Sequence, residues 1–202
     1  MRTVATVIVI LGTLQLLPAP PVIAQGPPPP PAQQIPPELM LPPATKLEGF
    51  MAAVDSLMTT GYNEVGKDVS GIVALGPISV EAREMRDSHG NIARGMIVEV
   101  IESQTVRARS FVDADEIPAL IKGLDAILEV VSNPTSFDYF EVRCVTRGEL
   151  AVTAYSNFKG TIRYSVQAGR VVTSRVVLDT RQMQVLRGLF ATALQKLNAR
   201  AS

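Results

Sequence analysis

Beyond residue 44 the apolar positions of this chain change period several times, and each change marks an expected element. Leu47, Phe50, Met51, Val54, Leu57 and Met58 recur at three and four residues. This spacing predicts an amphipathic helix ended by Gly61. Two further stripes have the same period. One runs through Ile117, Leu120, Ile121, Leu124, Ile127, Leu128 and Val131, the other through Met183, Leu186, Leu189, Phe190, Leu194 and Leu197. Methionine and leucine at such spacing form the core-facing side of a helix, so all three are assigned to packing on a sheet.

Between the stripes the period falls to two. Ile78, Val80 and Ala82 alternate with polar residues, as do Ile92, Met96, Val98 and Val100, and Asp87-Ser88-His89-Gly90-Asn91 supplies a turn between them. Val106 to Val112 is a third strand leading into the second helix. After Asn133-Pro134, strands follow at Phe140 to Cys144, Leu150 to Ala154, Ile162 to Val166 and Val172 to Leu178, separated by turns at Gly148-Glu149, Asn157 to Gly160 and Ala168-Gly169-Arg170. Consecutive hairpins with one apolar face each predict an α+β fold: an antiparallel β-sheet of about seven to eight strands, covered on one face by two to three amphipathic helices.

The two strand-to-helix junctions resemble each other at an offset of 66 residues: Val112-Asp113 with Leu178-Asp179, Glu116 with Gln182, Leu120 with Leu186, Leu128 with Leu194. Three of the eighteen aligned positions are identical. Two origins remain open, pseudo-repeated strands-plus-helix halves or the common pattern of any strand that feeds a capped helix. Asp179 and Gln182 have capping-box spacing. Asp113 and Glu116 share it, but Pro118 would then cost an intrahelical bond, which makes Asp115 the alternative cap and places Pro118 in the unbonded first turn.

Before the domain come two segments of different character. Arg2 precedes an uncharged run, Val4 to Leu17, about two-thirds as long as a membrane-spanning helix requires. Val22-Ile23-Ala24 then offers small or modest side chains at −3 and −1, so residues 1–24 read as a signal peptide cleaved after Ala24. Export to the periplasm or medium is the expectation. Without cleavage the segment would be a signal anchor, giving membrane attachment with the domain still outside the cytoplasm. Residues 25–43 contain nine prolines among nineteen residues and read as a disordered polyproline II tether reaching about 60 Å. Residues 44–202 form the single α+β domain, long enough to fold on its core alone.

Charge and chemistry narrow the function by exclusion. Loss of Arg2 leaves 18 basic against 19 acidic residues, which argues against nucleic acid as a partner. Cys144 is the one thiol, so no internal disulfide forms, and its place in an alternating strand reads as a small buried hydrophobe. The one histidine cannot build a histidine-rich metal site. His89 lies among the letters of a hydrolytic triad, but neighbouring residues in a tight turn point apart. Asp113, Asp115 and Glu116 read as helix-capping groups. Gly66, Gly71 and Gly76 lack a phosphate-binding fingerprint. No cofactor is implied, and no catalytic, metal or nucleotide signature stands out.

What remains is the polar side of the sheet. Glu81, Arg83, Arg107, Arg109, Glu141, Arg143, Arg163 and Arg175 should project away from the helices. Arginine matches carboxylates and phosphates through its planar fork, so Arg83, Arg107, Arg109, Arg143, Arg163 and Arg175 are the candidate binding surface. Cross-strand Arg–Glu pairing on a solvated face is the plain alternative. The favoured function is a non-enzymatic binding module that engages an unknown protein or envelope component through this face or an exposed sheet edge. The rivals are an enzyme whose groups converge from separate strands, and a carrier with an apolar cavity near Met96, Tyr164 and Phe190.

Overall fold

The computed structural model describes residues 41–53, 57–66, 78–130, 134–157 and 161–199. The expected signal peptide, residues 25–40 of the tether, and Val54, Gly71, Gly76, Val131, Asn133 and Gly160 lie outside the described residues. Elements follow in the order α1 (Lys46–Ala52), β1 (Met58–Gly66), β2 (Ile78–Asp87), β3 (Ile92–Ile101), β4 (Arg107–Asp113), α2 (Ile117–Leu128), β5 (Glu141–Val145), β6 (Ala151–Ser156), β7 (Ile162–Ala168), β8 (Ser174–Leu178) and α3 (Thr180–Asn198). The class is α+β with antiparallel pairing throughout the described strands.

The expected single sheet is corrected to two, ordered β1-β2-β3-β4 and β5-β6-β7-β8. The division falls where α2 carries the chain away from β4, and other groups then occupy the margin of β4. Gly148, in the β5–β6 turn, lies so close that an added Cβ would sit 2.0 Å from the Phe111 carbonyl oxygen. Gly169, in the β7–β8 turn, donates its amide to Ser110 Oγ at 3.0 Å. The left-handed position of the β5–β6 turn falls to Glu149, at φ 60°, because glycine is required one residue earlier for that approach.

Each helix packs mainly on the sheet that it does not directly follow. α2 leaves the first sheet and lies on β5 and β6, whereas α3 leaves the second and packs chiefly on β2, with contacts to β1 and β3. Gly123 lets α2 settle onto Cys144 of β5, and Leu189 of α3 sits on Gly66 of β1. The two helices also touch each other, fastened by a bidentate Arg187–Asp125 pair at 2.8 and 3.0 Å that holds the Asp125 carboxyl below its usual range. One continuous apolar cluster results. It takes Ile78, Val80 and Met96 from the first sheet, Val152, Tyr164 and Leu178 from the second, and the buried stripes of both helices. Met96, Tyr164 and Phe190 belong to it.

The sequence stripes of α2 and α3 are buried as their spacing implies: Ile117, Leu120, Leu124 and Ile127 in one, Met183, Leu186, Phe190 and Leu197 in the other. Asp179 and Gln182 form the expected capping box. Pro118 occupies the first turn of α2, but the cap position is Glu116, and no side chain bonds the first amides there.

The first helix is shorter than its stripe. α1 ends at Ala52, and Met58 opens a strand. The apolar residues nevertheless converge: Leu47, Phe50 and Met51 from α1 and Met58 from β1 pack with Met85, Ala93, Ile97 and Phe111 on the outer face of the first sheet. Helices therefore cover both faces of this sheet, where one covered face was expected. A hydrophobic residue shared by two periodicities carried the helix reading too far.

Two buried charges hold α1 in place. Asp113, expected at the start of α2, accepts instead from the amides of Lys46 at 2.8 Å and Leu47 at 3.2 Å. With Thr45 Oγ1 accepting from Glu48, it satisfies the first turn of α1 from a strand far away in sequence. Glu48, 1% exposed, meets Arg170 of the β7–β8 turn at 3.1 Å, and Arg170 also donates to the Pro42 carbonyl at 2.9 Å.

Removing one member of such a pair strands the other. Arg170→Ala is expected to lower unfolding free energy by roughly 3–5 kcal/mol in denaturant titration, with part of the loss recovered by adding Glu48→Gln. The exchanged helices give a second expectation. Burial of four large side chains of α3 contributes about 6–12 kcal/mol, as much as a whole domain's net stability. Residues 44–133 and 134–202 made separately should each lack a cooperative thermal transition, and circular dichroism should show structure regained on mixing. Independent folding of either piece would contradict the shared core.

Candidate binding face on the second sheet

The six candidate arginines do not share one surface. Arg83, Arg107 and Arg109 lie on the outer face of the first sheet, and Arg143, Arg163 and Arg175 on the outer face of the second. The first set is largely occupied. Arg83 Nε donates to Glu81 at 2.7 Å and its guanidinium lies 5.8 Å from the centre of the Tyr62 ring. Arg109 Nε donates to Glu99 at 2.9 Å, directly across the register of β3 and β4. The first pair runs along β2 and the second crosses between strands, both on one face, and α1 fills much of the rest. Arg107 stands exposed at the end of β4.

The second sheet differs because no helix packs on its outer face among the described residues. Its alternation assigns Val152, Ala154, Tyr164, Val166, Val176 and Leu178 to the core. The opposite parity, Glu141, Arg143, Thr153, Tyr155, Arg163, Ser165, Gln167 and Arg175, therefore faces outward. In register, Arg143 lies opposite Thr153, Thr153 opposite Ser165, and Gln167 opposite Arg175. Short side chains thus occupy the centre of the face and long ones its margins. The result is a depression of about 200 Å³ lined by Glu141, Arg143, Ala151, Thr153, Ser165, Gln167 and Arg175.

Of the three, Arg175 is the one whose guanidinium contacts neighbouring side chains among the described residues. Its Nη2 donates to Ser165 Oγ at 2.9 Å and its guanidinium lies 5.6 Å from the centre of the Tyr155 ring. Neither contact neutralises its charge. Arg143 and Arg163 have no ion-pair or hydrogen-bond partner among the described residues. Glu141 is the one carboxylate lining the depression. Guanidinium groups beside small hydroxyls can hold a carboxylate or a phosphate by charge-assisted hydrogen bonds. A lone carboxylate does not make an acid–base pair.

The other singled-out groups lie away from this face. His89 is exposed at the β2–β3 turn, where Asp87 accepts from the amides of His89 and Asn91 and from the Asn91 side chain; that last contact leads in holding the Asp87 carboxyl below its usual range. Cys144 is half-buried beneath α2, and burial raises its thiol above the ordinary value. It lines a depression of about 270 Å³ with Asp115, Glu116 and Arg147, and Arg147 spans both carboxylates at 2.8 and 3.2 Å. Among the described residues no group of three or more His, Cys, Asp or Glu side chains is placed to hold a metal ion.

Sequence reasoning selected Arg143, Arg163 and Arg175 but missed the floor between them. Thr153 and Ser165 are both buried, yet they lie on the outward parity of their strands. Small hydroxyls opposite each other on neighbouring strands were the readable signal. No family model matches the chain, and no significant match to a curated protein was found.

Proposed function

We propose that this is an exported, non-enzymatic binding module that takes an acidic group of a protein or envelope component on the outer face of the second sheet. Export rests on residues 1–24, with their uncharged run and the Val22-Ile23-Ala24 cleavage pattern. The carrying observation for binding is the contrast between the two outer faces. One is covered by α1 and has Arg83 and Arg109 paired to glutamates, whereas the other carries no helix among the described residues and has Arg143 and Arg175 lining a depression with Thr153 and Ser165 in its floor, with Arg163 on the same face outside that lining. A partner carboxylate or phosphate seated there would replace water on Arg163 and Arg175 and gain directional bonds from the guanidinium groups.

A poly-glutamate peptide is a suitable probe, with poly-glutamine as its neutral control. Titration by calorimetry should show binding of the acidic peptide alone, weakening with salt. Losing one charge-assisted contact costs about 1.5–3 kcal/mol, so Arg163→Ala combined with Arg175→Ala should weaken binding at least about tenfold. Arg107→Ala, on the other sheet, should leave it unchanged. Equal weakening by the Arg107 variant, or indifference to the paired substitution, would refute the assignment to this face.

A further inference from the structure

The margins of the sheets carry information that the arginines do not. Thr146 donates its amide to Leu150, and Ser156 donates to Phe140. With Val142 opposite Ala154 and Cys144 opposite Val152, the even-numbered residues of β5 turn their backbone groups toward β6. Glu141, Arg143 and Val145 therefore point their amide and carbonyl groups outward, away from the sheet.

The other margin of this sheet and the inner margin of its neighbour are managed. β4 is covered by the turns that contain Gly148 and Gly169. On β8, the amide of Arg175 donates to the Glu102 carboxylate at 3.2 Å, and that of Asp179 donates to Gln182 Oε1 at 2.8 Å. At the far end of β5, the amide of Arg147 is taken by Glu116 Oε1 at 2.8 Å. The three outward residues of β5 have no such cover among the described residues. An uncovered edge of this kind is a template for another strand.

The side chains on that edge say which strand fits. Glu141 and Arg143 have no partner among the described residues, Tyr139 is 63% exposed just before the strand, and Val145 is 49% exposed at its end. We infer that β5 pairs antiparallel with β5 of a second copy of this chain, in the register that places Glu141 opposite Arg143 of the partner subunit. Twofold symmetry then repeats every contact. Arg143 meets Glu141 of the partner subunit, and Tyr139 and Val145 each meet the other's counterpart in an aromatic to β-branched pair.

Only odd-numbered residues present backbone groups at the edge, so allowed registers differ by steps of two. Sliding the partner one step in one direction sets Arg143 against Arg143 of the partner subunit, a like-charge pair. One step the other way sets Glu141 against Glu141 of the partner subunit, again like charges, and two steps the first way would call on Arg147, whose amide and guanidinium are already engaged by Glu116 and Asp115. The chosen register alone satisfies both charges and both apolar side chains. It joins two four-stranded sheets into one eight-stranded sheet, with the two outer depressions side by side. Glu141 then answers Arg143 of the partner subunit, while Arg163 and Arg175 remain directed at a ligand.

Sedimentation of the full exported chain over a wide concentration range tests this. So short an interface implies a dimer of roughly micromolar dissociation constant. Arg143→Glu and Glu141→Arg should each raise that constant at least tenfold, and combining them should restore it to within about threefold, since the swapped charges again face each other. Val145→Pro removes an outward amide without touching the β6 ladder, so it should abolish the dimer while circular dichroism stays unchanged. A chain that stays monomeric at the highest concentration would overturn the inference. So would a dimer that ignores the charge reversals, or one that the combined variant does not restore.

Discussion

The exchange of helices between the two sheets is the constraint on which the rest of this fold depends. α2 is made by the first run of strands and packs on the second sheet, while α3 is made by the second run and packs chiefly on the first. Neither sheet has a core without residues from the other half of the chain. The Arg187–Asp125 pair, which ties one exchanged helix to the other, is a surface lock on an arrangement already set by burial of Leu124, Leu186 and Phe190.

This arrangement uses one face of each sheet and leaves two outer faces to be dealt with differently. The first is closed by α1, held through Asp113 at its amino end and through the buried Glu48–Arg170 pair. Both contacts reach α1 from distant parts of the chain, so the short helix is placed by tertiary contacts and not by its own seven residues. The second outer face keeps its arginines in the open above the buried hydroxyls of Thr153 and Ser165. The difference between a covered face and a bare one is written in the outward positions as well as in α1: the first sheet offers Met85, Ala93, Ile97 and Phe111 to the helix, whereas the outward positions of the second are mostly polar.

Much of this could be read from the chain. Seven of the eight strands follow from alternation, as at Ile78-Val80-Ala82 and Tyr164-Val166, and the Asp179–Gln182 cap follows from its spacing. β1 was lost because Met58 fits a helical stripe as well as a strand, and its neighbours Thr59, Thr60 and Gly61 carry no apolar alternation. Asp113 was placed correctly in the sequence but given the wrong helix, since a carboxylate at a junction can cap whatever amides the fold brings near it. The division into two sheets, and with it the separation of Arg83, Arg107 and Arg109 from Arg143, Arg163 and Arg175, lay beyond local pattern. It depends on which turn covers β4, a contact between residues with wide separation in the chain. The pairing of Arg109 with Glu99 became visible only once the register of β3 and β4 was known.

Because the helices are exchanged, the two halves cannot open independently, and stability should be distributed evenly through the shared core. Native-state hydrogen exchange resolves this residue by residue. The slowest amides of β2, β3, β6, β7 and both long helices should exchange with a single free energy, equal to that of global unfolding, and should respond identically to added denaturant. A core of β6, β7 and α2 that opened at clearly lower free energy than β2, β3 and α3 would contradict the account.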